Sequence, residues 1–306
     1  MKWTWSDMPS QQGRVVVVTG ANSGLGLESA RAFARKGARV VMACRSEERG
    51  GLAREDILGS APQADVALML LDLADLQSVR RFAQEFAQRY DKLDILMNNA
   101  GLMALPKRFT ADGFEMQLGV NHFGHYALTG LLLGHLKATA GSRVVNVSSL
   151  AANQGTMHFE DLTLGDGYRP FTAYGQSKLA NLLFTLEFKR RAEAAGAKVR
   201  SIAAHPGGSN TNLGDHMEVP RVVRAIGEFV LTNLMQTAAK GALSQLYASA
   251  SEDAVDGGFY GPDGLGGIWG YPGEAPYPHA AKDVASAQRL WSISEERTGV
   301  RYNFEG

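Results

Sequence analysis

The chain has 306 residues, of which 45% are hydrophobic and 20% are charged, as in ordinary globular proteins. Lysine plus arginine and aspartate plus glutamate both number 31, so no basic surplus points to nucleic acid or to an anionic membrane. The single cysteine, Cys44, excludes an intramolecular disulfide and a cysteine-based zinc site. We therefore expect no nucleic-acid partner and no metal site.

The amino-terminal stretch MKWTWSDMPSQQGR is polar and lacks the apolar core and cleavage site of a secretory signal. No apolar run approaches the roughly 20 residues that span a bilayer, since a run such as LTGLLLGHL is interrupted by glycine and histidine. The sequence thus predicts a cytoplasmic protein without an integral membrane segment. Whether it is a monomer or a homo-oligomer stays open.

Short apolar runs alternate with segments of helical periodicity up to Pro206. The first run, RVVVVTG, is rich in β-branched residues and ends in glycine, which is typical of a strand buried on both faces. The sequence predicts strands at 14–20, 38–44, 65–72, 93–101, 142–149 and 198–208, and helices at 28–38, 46–58, 75–90, 112–137 and 172–196. This alternation indicates βαβ units and a parallel sheet with helices on both faces.

The pattern changes beyond Pro206. The sequence predicts a loop and an apolar helix-like segment within 207–235, a helix at 237–250, a seventh strand at 257–262, a Gly/Pro/Tyr-rich loop at 261–281 and a last helix at 285–299. The predicted fold class is α/β, a single Rossmann-type doubly wound domain over 1–306 with about seven parallel strands flanked by helices. Its cofactor half covers about 12–140, and its catalytic and substrate half, with a C-terminal substrate lid, covers 141–306.

A glycine-rich turn, TGANSGLG, joins the first predicted strand to the first predicted helix. Its glycines permit a tight turn and let backbone N–H groups approach a pyrophosphate at a helix N-terminus. Glycine is common in any turn, and the spacing departs from G-x-G-x-x-G, so the position after the first strand carries the nucleotide interpretation. The candidate cofactor contacts in this turn are Gly20, Asn22, Ser23, Gly24, Leu25 and Gly26.

The end of the second strand, MACRS, distinguishes between two dinucleotides. An acid at this place would bond the ribose hydroxyl of NAD, whereas an arginine accommodates the 2′-phosphate of NADP. Here Arg45 follows the strand and no acid occurs before Glu47. The alternative is an exposed arginine that only caps a loop. The sequence favours NADP over NAD as the cofactor.

A tyrosine and a lysine stand four residues apart in the predicted helix at 172–196. Positions i and i+4 share one helix face, so Tyr174 and Lys178 would present a phenol and an ammonium to one place. The ammonium is expected to lower the pKa of the phenol, which would make the tyrosine a general acid and base. The alternative is a half-exposed helix on which the two side chains are unrelated.

Five motifs in order carry a resemblance to a known family: TGANSGLG, NNAG (98–101), VNVSS (145–149), YGQSK (174–178) and HPG (205–207). Over roughly 12–260 the sequence resembles the short-chain dehydrogenase/reductase family. The stretches DGFEMQLGVNHFGHYALT, MHFEDL and LWSISEE resemble its retinol-dehydrogenase-like branch, which includes the WW-domain oxidoreductases, although no WW domain is expected here. The resemblance implies an NADP(H)-dependent oxidoreductase that interconverts an alcohol and a carbonyl by hydride transfer.

The resemblance also implies the roles of four catalytic residues. Tyr174 corresponds to the general acid and base, and Lys178 to the residue that lowers its pKa and contacts the nicotinamide ribose. Ser149 corresponds to the residue that hydrogen-bonds the substrate oxygen, with Ser148 as the alternative. Side chains alternate along a strand, so only one of the two serines can serve. Asn121 corresponds to an asparagine that holds a water molecule beside the lysine.

Further cofactor contacts follow from the same resemblance. Asp72 and Leu73 would face the adenine, and Asn99, Ala100 and Gly101 would line the adenosine ribose. The segment from Pro206 and Gly207 to Thr211 would hold the carboxamide end of the nicotinamide.

The expected substrate is a medium-to-large apolar alcohol or carbonyl compound. The segment Val219–Met235 and the loop from Phe259 to Tyr277, with Tyr260, Trp269 and Tyr271, follow the sixth strand and carry few charges. Ligands bind at the carboxyl edge of open α/β sheets, so these residues are predicted to form an apolar pocket wall. The insertion at 152–171 is predicted to form a loop over the site.

Two other classes of protein stay open at this point. A nucleotide-binding sensor or scaffold would keep the fold without chemistry, although such proteins usually lack the tyrosine or the lysine. A sugar-nucleotide epimerase shares the Tyr-x-x-x-Lys pattern but typically has another glycine spacing and a longer C-terminal part. His122 and His125 lie three apart without an accompanying acid or cysteine, so they are interpreted as structural residues rather than as metal ligands.

Overall fold

The computed structural model describes residues 2–208 and 236–305. The strands in this part are β1 Val15–Thr19, β2 Arg39–Cys44, β3 Val66–Leu70, β4 Ile95–Asn98, β5 Arg143–Val147, β6 Arg200–Ala204, β7 Phe259–Gly264 and β8 Trp269–Glu274. They form one eight-stranded sheet in the order β3-β2-β1-β4-β5-β6-β7-β8. The strands from β1 to β7 pair in parallel, and β8 pairs antiparallel with β7.

Helices connect the parallel strands. They are α1 Gly24–Arg35, α2 Glu47–Ser60, α3 Leu76–Arg89, α4 Met116–Leu118, a π-helix at Gly119–Gly124, α5 His125–Leu131, α6 Leu133–Lys137, α7 Pro170–Ala194, α8 Ala238–Gly241, α9 Leu243–Ala250 and α10 Val284–Thr298. The carboxylate of Asp75 accepts a hydrogen bond from Gln77 N and caps α3, as its position before the helix suggests. Among the described helices, none is long and apolar enough to span a membrane.

Strand β1 shows why the apolar run has no alternation with polar residues. Val15 and Val17 belong to the core cluster on one face of the sheet, whereas Val16 and Val18 belong to the cluster on the other face. Because helices cover both faces, every position of the strand is buried. The predicted α/β fold with a doubly wound sheet is confirmed. Its division into a cofactor half and a substrate half stays a prediction.

The predicted loop at 261–281 is wrong in its central part, where β8 adds an eighth strand. Glycine and proline dominate this stretch, and both residues are unfavourable in strands, so the composition hides it. Proline is tolerated at a sheet edge, where no donor is needed on the open side. Pro262 and Pro272 stand opposite each other in the β7–β8 ladder.

The strand order fixes where a ligand can bind. The chain winds outward from β1 to β3 in one direction and from β4 to β7 in the other. A crevice therefore opens at the carboxyl ends of β1 and β4, where two connections diverge. The motifs TGANSGLG and NNAG both begin in this crevice.

Candidate active site

The glycine turn leads from β1 into α1. No side chain caps the backbone N–H groups at the start of this helix. Ser23 is the N-cap residue of α1, and its hydroxyl makes no cap hydrogen bond. The first N–H groups of a helix have no partner within the helix and attract an anion. Gly20 and Gly24 have φ values of 66° and 54°, which favour glycine. The arrangement fits a pyrophosphate group.

Gly26 allows the turn to lie against the loop that follows β4. A Cβ at this position would lie 2.6 Å from Asn99 Nδ2 and closer still to the carbonyl oxygen of Gly20. The Asn99 amide donates to the main-chain oxygen of Thr19 at 2.8 Å. Asn99 and Ala100, which are candidate ribose contacts, are thus held beside the glycine turn.

The remaining candidates of the cofactor half surround the same crevice. Arg45 is exposed after β2, next to Ser46, which caps α2. One carboxylate oxygen of Asp72, Oδ1, accepts from Ala74 N at 2.9 Å. The side chains of Leu25 and Leu73 are buried in the two core clusters, so these residues can offer a cofactor only their backbone.

The thiol of Cys44 lies under the glycine turn. It accepts hydrogen bonds from the backbone N–H groups of Ala21 and Asn22, while burial raises its pKa to about 11. Cys44 is therefore a protonated core residue at neutral pH, as the sequence suggests, and it also supports the turn from below.

Helix α7 carries the tyrosine and the lysine into the crevice at the end of β5. Tyr174 is 6% exposed and Lys178 is 3% exposed, and the Lys178 Nζ lies 5.7 Å from the centroid of the Tyr174 ring. The Nζ donates to the carbonyl oxygen of Val147 at 3.0 Å. It also lies 3.3 Å from the place that a Cβ of Gly101 would occupy. Gly101 lies in the loop after β4, residues 99–101, which is called the cofactor loop below because its residues are candidate ribose contacts. The half-exposed helix of the alternative interpretation is excluded, since both residues are buried.

The two serines after β5 have different surroundings. Ser148 is buried and its hydroxyl donates to the main-chain oxygen of Lys178 at 2.8 Å, which commits it to the scaffold. Ser149 is partly exposed, and its hydroxyl is hydrogen-bonded to the Tyr174 phenol. The geometry favours Ser149 as the residue that faces a substrate oxygen.

The predicted lowering of the Tyr174 pKa by Lys178 is wrong in this structure. Burial raises the pKa of Tyr174, and the hydrogen bond with Ser149 is the contribution that lowers it. Burial also lowers the pKa of Lys178 to about 8. The reason is that a desolvated phenolate is unfavourable, and the ammonium hydrogen-bonds Val147 instead of the phenol.

Asn121 lies in the π-helix and ties it to the loop after β4. Its Oδ1 accepts from Leu102 N at 2.8 Å, and its Nδ2 donates to Leu102 O and to Ser177 Oγ, both at 2.9 Å. Each polar atom of the side chain thus has a protein partner. The main-chain carbonyl of Asn121 is a further acceptor that could bind a water molecule.

The HPG turn after β6 is held against the β7–β8 hairpin. His205 Nδ1 accepts from Gly207 N at 3.2 Å, and Gly208 N donates to Ile268 O at 2.9 Å. Burial lowers the pKa of His205 to about 4, so its ring is a neutral acceptor at pH 7. Pro206 and Gly207 thus reach the carboxyl edge of the sheet, while the candidate Thr211 lies outside the described residues.

The predicted aromatic wall of the substrate pocket is wrong for Tyr260. Tyr260 is buried beneath α9, where its ring packs on Tyr247 and its hydroxyl accepts from Val255 N. Tyr271 is half-buried with its ring near the ammonium groups of Lys2 and Lys240, and its place in a substrate pocket stays a prediction, as does that of Trp269. Side chains alternate between the faces of a strand, which composition alone does not reveal. The predicted lid at Val219–Met235 lies outside the described residues.

The sequence analysis missed three polar residues that support the site. Thr19 accepts hydrogen bonds from the backbone of the β4 loop, Ser177 links Asn121 to Tyr174 O, and Gln245 donates to Asn99 Oδ1. Ser177 lies three residues after Tyr174 on the same helix face, which is a usable signal. Gln245 is far away in sequence, so only the fold reveals it.

One surface cavity of about 600 Å³ lies elsewhere. It is lined by residues at the amino ends of strands, such as Val15 and Arg39. Ligands of open α/β sheets bind at the carboxyl ends, so this cavity is not the active site.

The chain is similar to known proteins over most of its length. The family model of the short chain dehydrogenases matches residues 14–219. Retinol dehydrogenase 14 of Mus musculus is 41% identical over 299 residues, which cover 94% of this chain and 86% of that protein. Retinol dehydrogenase 12 of Homo sapiens is 40% identical over 293 residues, covering 95% of this chain and 88% of the relative.

Solved structures show the same fold. An uncharacterised protein from Mycobacterium paratuberculosis is 42% identical, with a TM-score of 0.82 and coverage of 99% of this chain and 100% of that one. A short chain dehydrogenase from Shigella flexneri, solved in complex with NADP, is 22% identical with a TM-score of 0.63 and coverage of 82% and 98%.

The chain belongs to the short-chain dehydrogenase/reductase family. Within that family it is similar to the retinol dehydrogenases over most of its length. Family membership and these relatives support an oxidoreductase that acts on an alcohol or a carbonyl group.

Proposed function

We propose that the protein is an NADP(H)-dependent oxidoreductase that reduces a medium-to-large apolar aldehyde or ketone, with the reverse oxidation at high pH. The observation that carries this proposal is the group of buried Tyr174 and Lys178 with the partly exposed Ser149. Lys178 Nζ lies near Gly101 in the loop after β4, and this loop packs on the glycine turn at the uncapped start of α1. A proton donor and a dinucleotide site thus share one crevice at the carboxyl edge of the sheet.

The reduction needs a hydride on the carbonyl carbon and a proton on its oxygen. The nicotinamide of NADPH supplies the hydride when it is bound. The Ser149 hydroxyl donates a hydrogen bond to the substrate oxygen, and the Tyr174 phenol transfers its proton to that oxygen as the alcohol forms. Lys178 would hold the nicotinamide ribose, and the main-chain carbonyl of Asn121 would hold a water molecule from which the proton of Tyr174 is replaced.

The protonation state of Tyr174 determines which half of the reaction the site is ready to catalyse at neutral pH. Burial raises this pKa, so the phenol keeps its proton at pH 7 and is ready to donate it. Oxidation of an alcohol needs the phenolate, whose population grows as the pH rises. We expect the turnover number for reduction to stay flat between pH 6 and 8, while that for oxidation rises with pH.

The preference for NADPH rests on Arg45. The arginine is exposed at the end of β2, at the edge of the crevice, and no acid stands beside it before Glu47. A guanidinium pairs with a phosphate dianion, whereas a carboxylate there would repel it. The Shigella protein of the same fold holds NADP, so the fold can accept this cofactor.

The substrate class rests on the side chains near the site and on the named relatives. Leu150 follows Ser149, and Phe171 is 60% exposed one helical turn before Tyr174 on the same face. Ile268 is exposed on the hairpin that holds the HPG turn. Two relatives are named retinol dehydrogenases, and retinol is a large apolar alcohol.

The test is a series of straight-chain aldehydes of increasing length, assayed by NADPH oxidation. We expect kcat/KM to rise by up to about tenfold for each buried methylene until the pocket is filled. Tyr174→Phe should lower kcat by about 10²–10⁴-fold, the usual contribution of a general acid, with the dissociation constant for NADPH kept within a few-fold.

Tyr90→Phe is the matched control, because it removes a hydroxyl from a tyrosine at the opposite edge of the sheet. This variant should behave like the wild-type protein. A kcat/KM that stays flat or falls from the shortest aldehyde upward would contradict the substrate class. A Tyr174→Phe protein that keeps more than a tenth of the wild-type kcat would contradict the role of the phenol.

A further inference from the structure

His125 is a buried histidine with hydrogen bonds at both ring nitrogens, and the proposed reaction does not use it. It begins α5 directly after the π-helix and is 3% exposed. Its Nδ1 lies 3.1 Å from the main-chain oxygen of Asn121, and its Nε2 lies 2.9 Å from Thr19 Oγ1. The ring therefore bridges the π-helix and the end of β1.

The two partners determine which nitrogen carries the proton. A carbonyl oxygen can only accept, so His125 Nδ1 must donate to Asn121 O. Burial lowers the pKa of His125 to about 4, so the ring is neutral at pH 7 and Nε2 is a bare acceptor. The hydroxyl of Thr19 must then donate to Nε2.

The hydroxyl of Thr19 is fully used in this arrangement. Its oxygen accepts from Asn99 N and from Ala100 N, both at 2.9 Å. Its single proton has two acceptors within reach, His125 Nε2 at 2.9 Å and the main-chain oxygen of Met97 at 3.3 Å, and the shorter contact to the imidazole directs it. Thr19 thus connects His125 to the backbone of Asn99 and Ala100, which is a candidate wall of the ribose site.

We propose that His125 is a positioning residue that holds the main-chain carbonyl of Asn121 and the cofactor loop in one fixed arrangement. The inference rests on the proposed function, because Asn121 matters only if its carbonyl holds the water of the proton path. One ring nitrogen serves proton transfer through Asn121, and the other serves cofactor binding through Thr19, Asn99 and Ala100. A neutral imidazole with its proton on Nδ1 is required for both.

His122, in the same π-helix, provides a matched control. Its Nε2 lies 2.8 Å from Ser294 Oγ, and the Ser294 hydroxyl donates to Leu290 O at 2.7 Å, so His122 donates to Ser294. This buried histidine anchors α10 and contacts neither the cofactor loop nor Asn121 O. Replacing His122 shows how far the loss of any buried imidazole changes stability and activity.

Two substitutions of His125 separate its two hydrogen bonds. An asparagine amide reproduces the position of Nδ1, and a glutamine amide reproduces that of Nε2. We expect His125→Asn to keep kcat within about threefold and to raise the dissociation constant for NADPH about tenfold, the effect of one hydrogen bond. We expect His125→Gln to show the opposite, with NADPH binding kept and kcat lowered about tenfold. His122→Asn should leave both quantities within about threefold.

If His125 had a purely structural role, both variants would have a changed melting temperature, but one would not lose NADPH binding while the other loses kcat. Equal losses of both quantities in the two variants, or no loss in either, would overturn the proposal. An absence of turnover in the wild-type protein would contradict the proposed function. The NADPH dissociation constants of the two His125 variants would still show whether His125 supports the cofactor loop.

The tautomer can be measured in the wild-type protein, so the test does not depend on the folding of a variant. Long-range ¹H–¹⁵N correlation spectra distinguish a protonated Nδ1 from a protonated Nε2 in each of the 7 histidines. We expect His125 at pH 7 to be neutral with its proton on Nδ1, and His122 to be neutral with its proton on Nε2. A proton on Nε2 of His125 would overturn the proposal.

Discussion

At the scale of single residues, the site consists of ionisable groups kept away from water. The Tyr174 phenol and the Lys178 ammonium are both buried, and burial moves both pKa values toward the neutral forms. Such a placement is unfavourable for folding but useful for proton transfer. The same residues therefore give predictions for stability as well as for activity.

Lys178→Met should stabilise the protein at pH 7 while lowering its activity. Burial lowers the pKa of Lys178 to about 8, so at pH 7 the folded state holds a desolvated ammonium. At about 1.4 kcal/mol for each unit of pKa, its removal should raise the free energy of unfolding by about 3 kcal/mol. The loss of Lys178 does not leave the buried carbonyl of Val147 without a hydrogen bond, because Asn181 Nδ2 also donates to it.

The advantage of Lys178→Met should shrink at high pH. Between about pH 8 and 10.5 the unfolded chain still binds the proton and the folded protein does not, so wild-type stability rises with pH. Urea denaturation at pH 7 and pH 10 measures the difference, with the exposed Lys198→Met as the control. A variant that is less stable than the wild-type protein at pH 7 would contradict this prediction.

Arg45→Asp should reverse or remove the preference for NADPH. The substitution replaces a guanidinium that matches the 2′-phosphate by a carboxylate that repels it and bonds the ribose hydroxyl of NADH instead. The ratio of kcat/KM for NADPH to that for NADH should fall at least about tenfold. Arg301→Asp makes the same charge change at an exposed position after α10 and should leave the ratio unchanged. Equal kcat/KM for both cofactors in the wild-type protein would refute the assignment.

At the scale of elements, the decisive contact is the approach of the start of α1 to the loop after β4. Gly26 lies where these backbones meet, and a Cβ there would lie against the Gly20 carbonyl oxygen and Asn99 Nδ2. The contact joins the glycine turn to the cofactor loop. A larger residue at position 26 must therefore displace either the glycine turn or the loop after β4.

Gly26→Ala should weaken NADPH binding at least about tenfold and cost about 1–3 kcal/mol of stability through overpacking. Gly51→Ala is the matched control, because it lies in α2 and an added Cβ would meet no atom within 4 Å. Since alanine favours a helix over glycine, the control should stabilise the protein by about 0.5–1 kcal/mol. Isothermal titration with NADPH and thermal unfolding provide both values. Unchanged binding in Gly26→Ala would show that the turn does not hold the cofactor.

At the scale of the whole molecule, the C-terminal segment closes the core. Tyr302 follows α10 and donates to the main-chain oxygen of Tyr126 at 2.6 Å. Its ring contacts those of Tyr126, Phe184 and Trp291. The segment thus connects α5, which precedes β5, with α7, which carries Tyr174.

Tyr302→Ala should lower the free energy of unfolding by about 3–5 kcal/mol, the usual cost of removing a large aromatic side chain from a core. Phe171→Ala is the control, since Phe171 is 60% exposed and its loss should cost little stability. Chemical denaturation followed by fluorescence gives both values. A loss below about 1 kcal/mol would mean that the tail is not part of the core.

The sequence alone determined the order of strands and helices, the glycine turn and the pair of Tyr174 and Lys178. These features depend on local periodicity, on residues with special backbone freedom and on short spacing along one helix. The fold class is confirmed and the family is shown. The β8 strand was not predicted, because its glycines and prolines resemble a loop.

The tertiary structure alone decided how the site is assembled. It separates Ser149 from Ser148, buries Tyr260 away from the substrate, and raises the Tyr174 pKa where the sequence predicted a lower one. It also brings Thr19 and His125, which are 106 positions apart, within 2.9 Å. These features depend on burial and on contacts between distant segments, and the pairing of distant segments is fixed only when the sheet and its helices pack together.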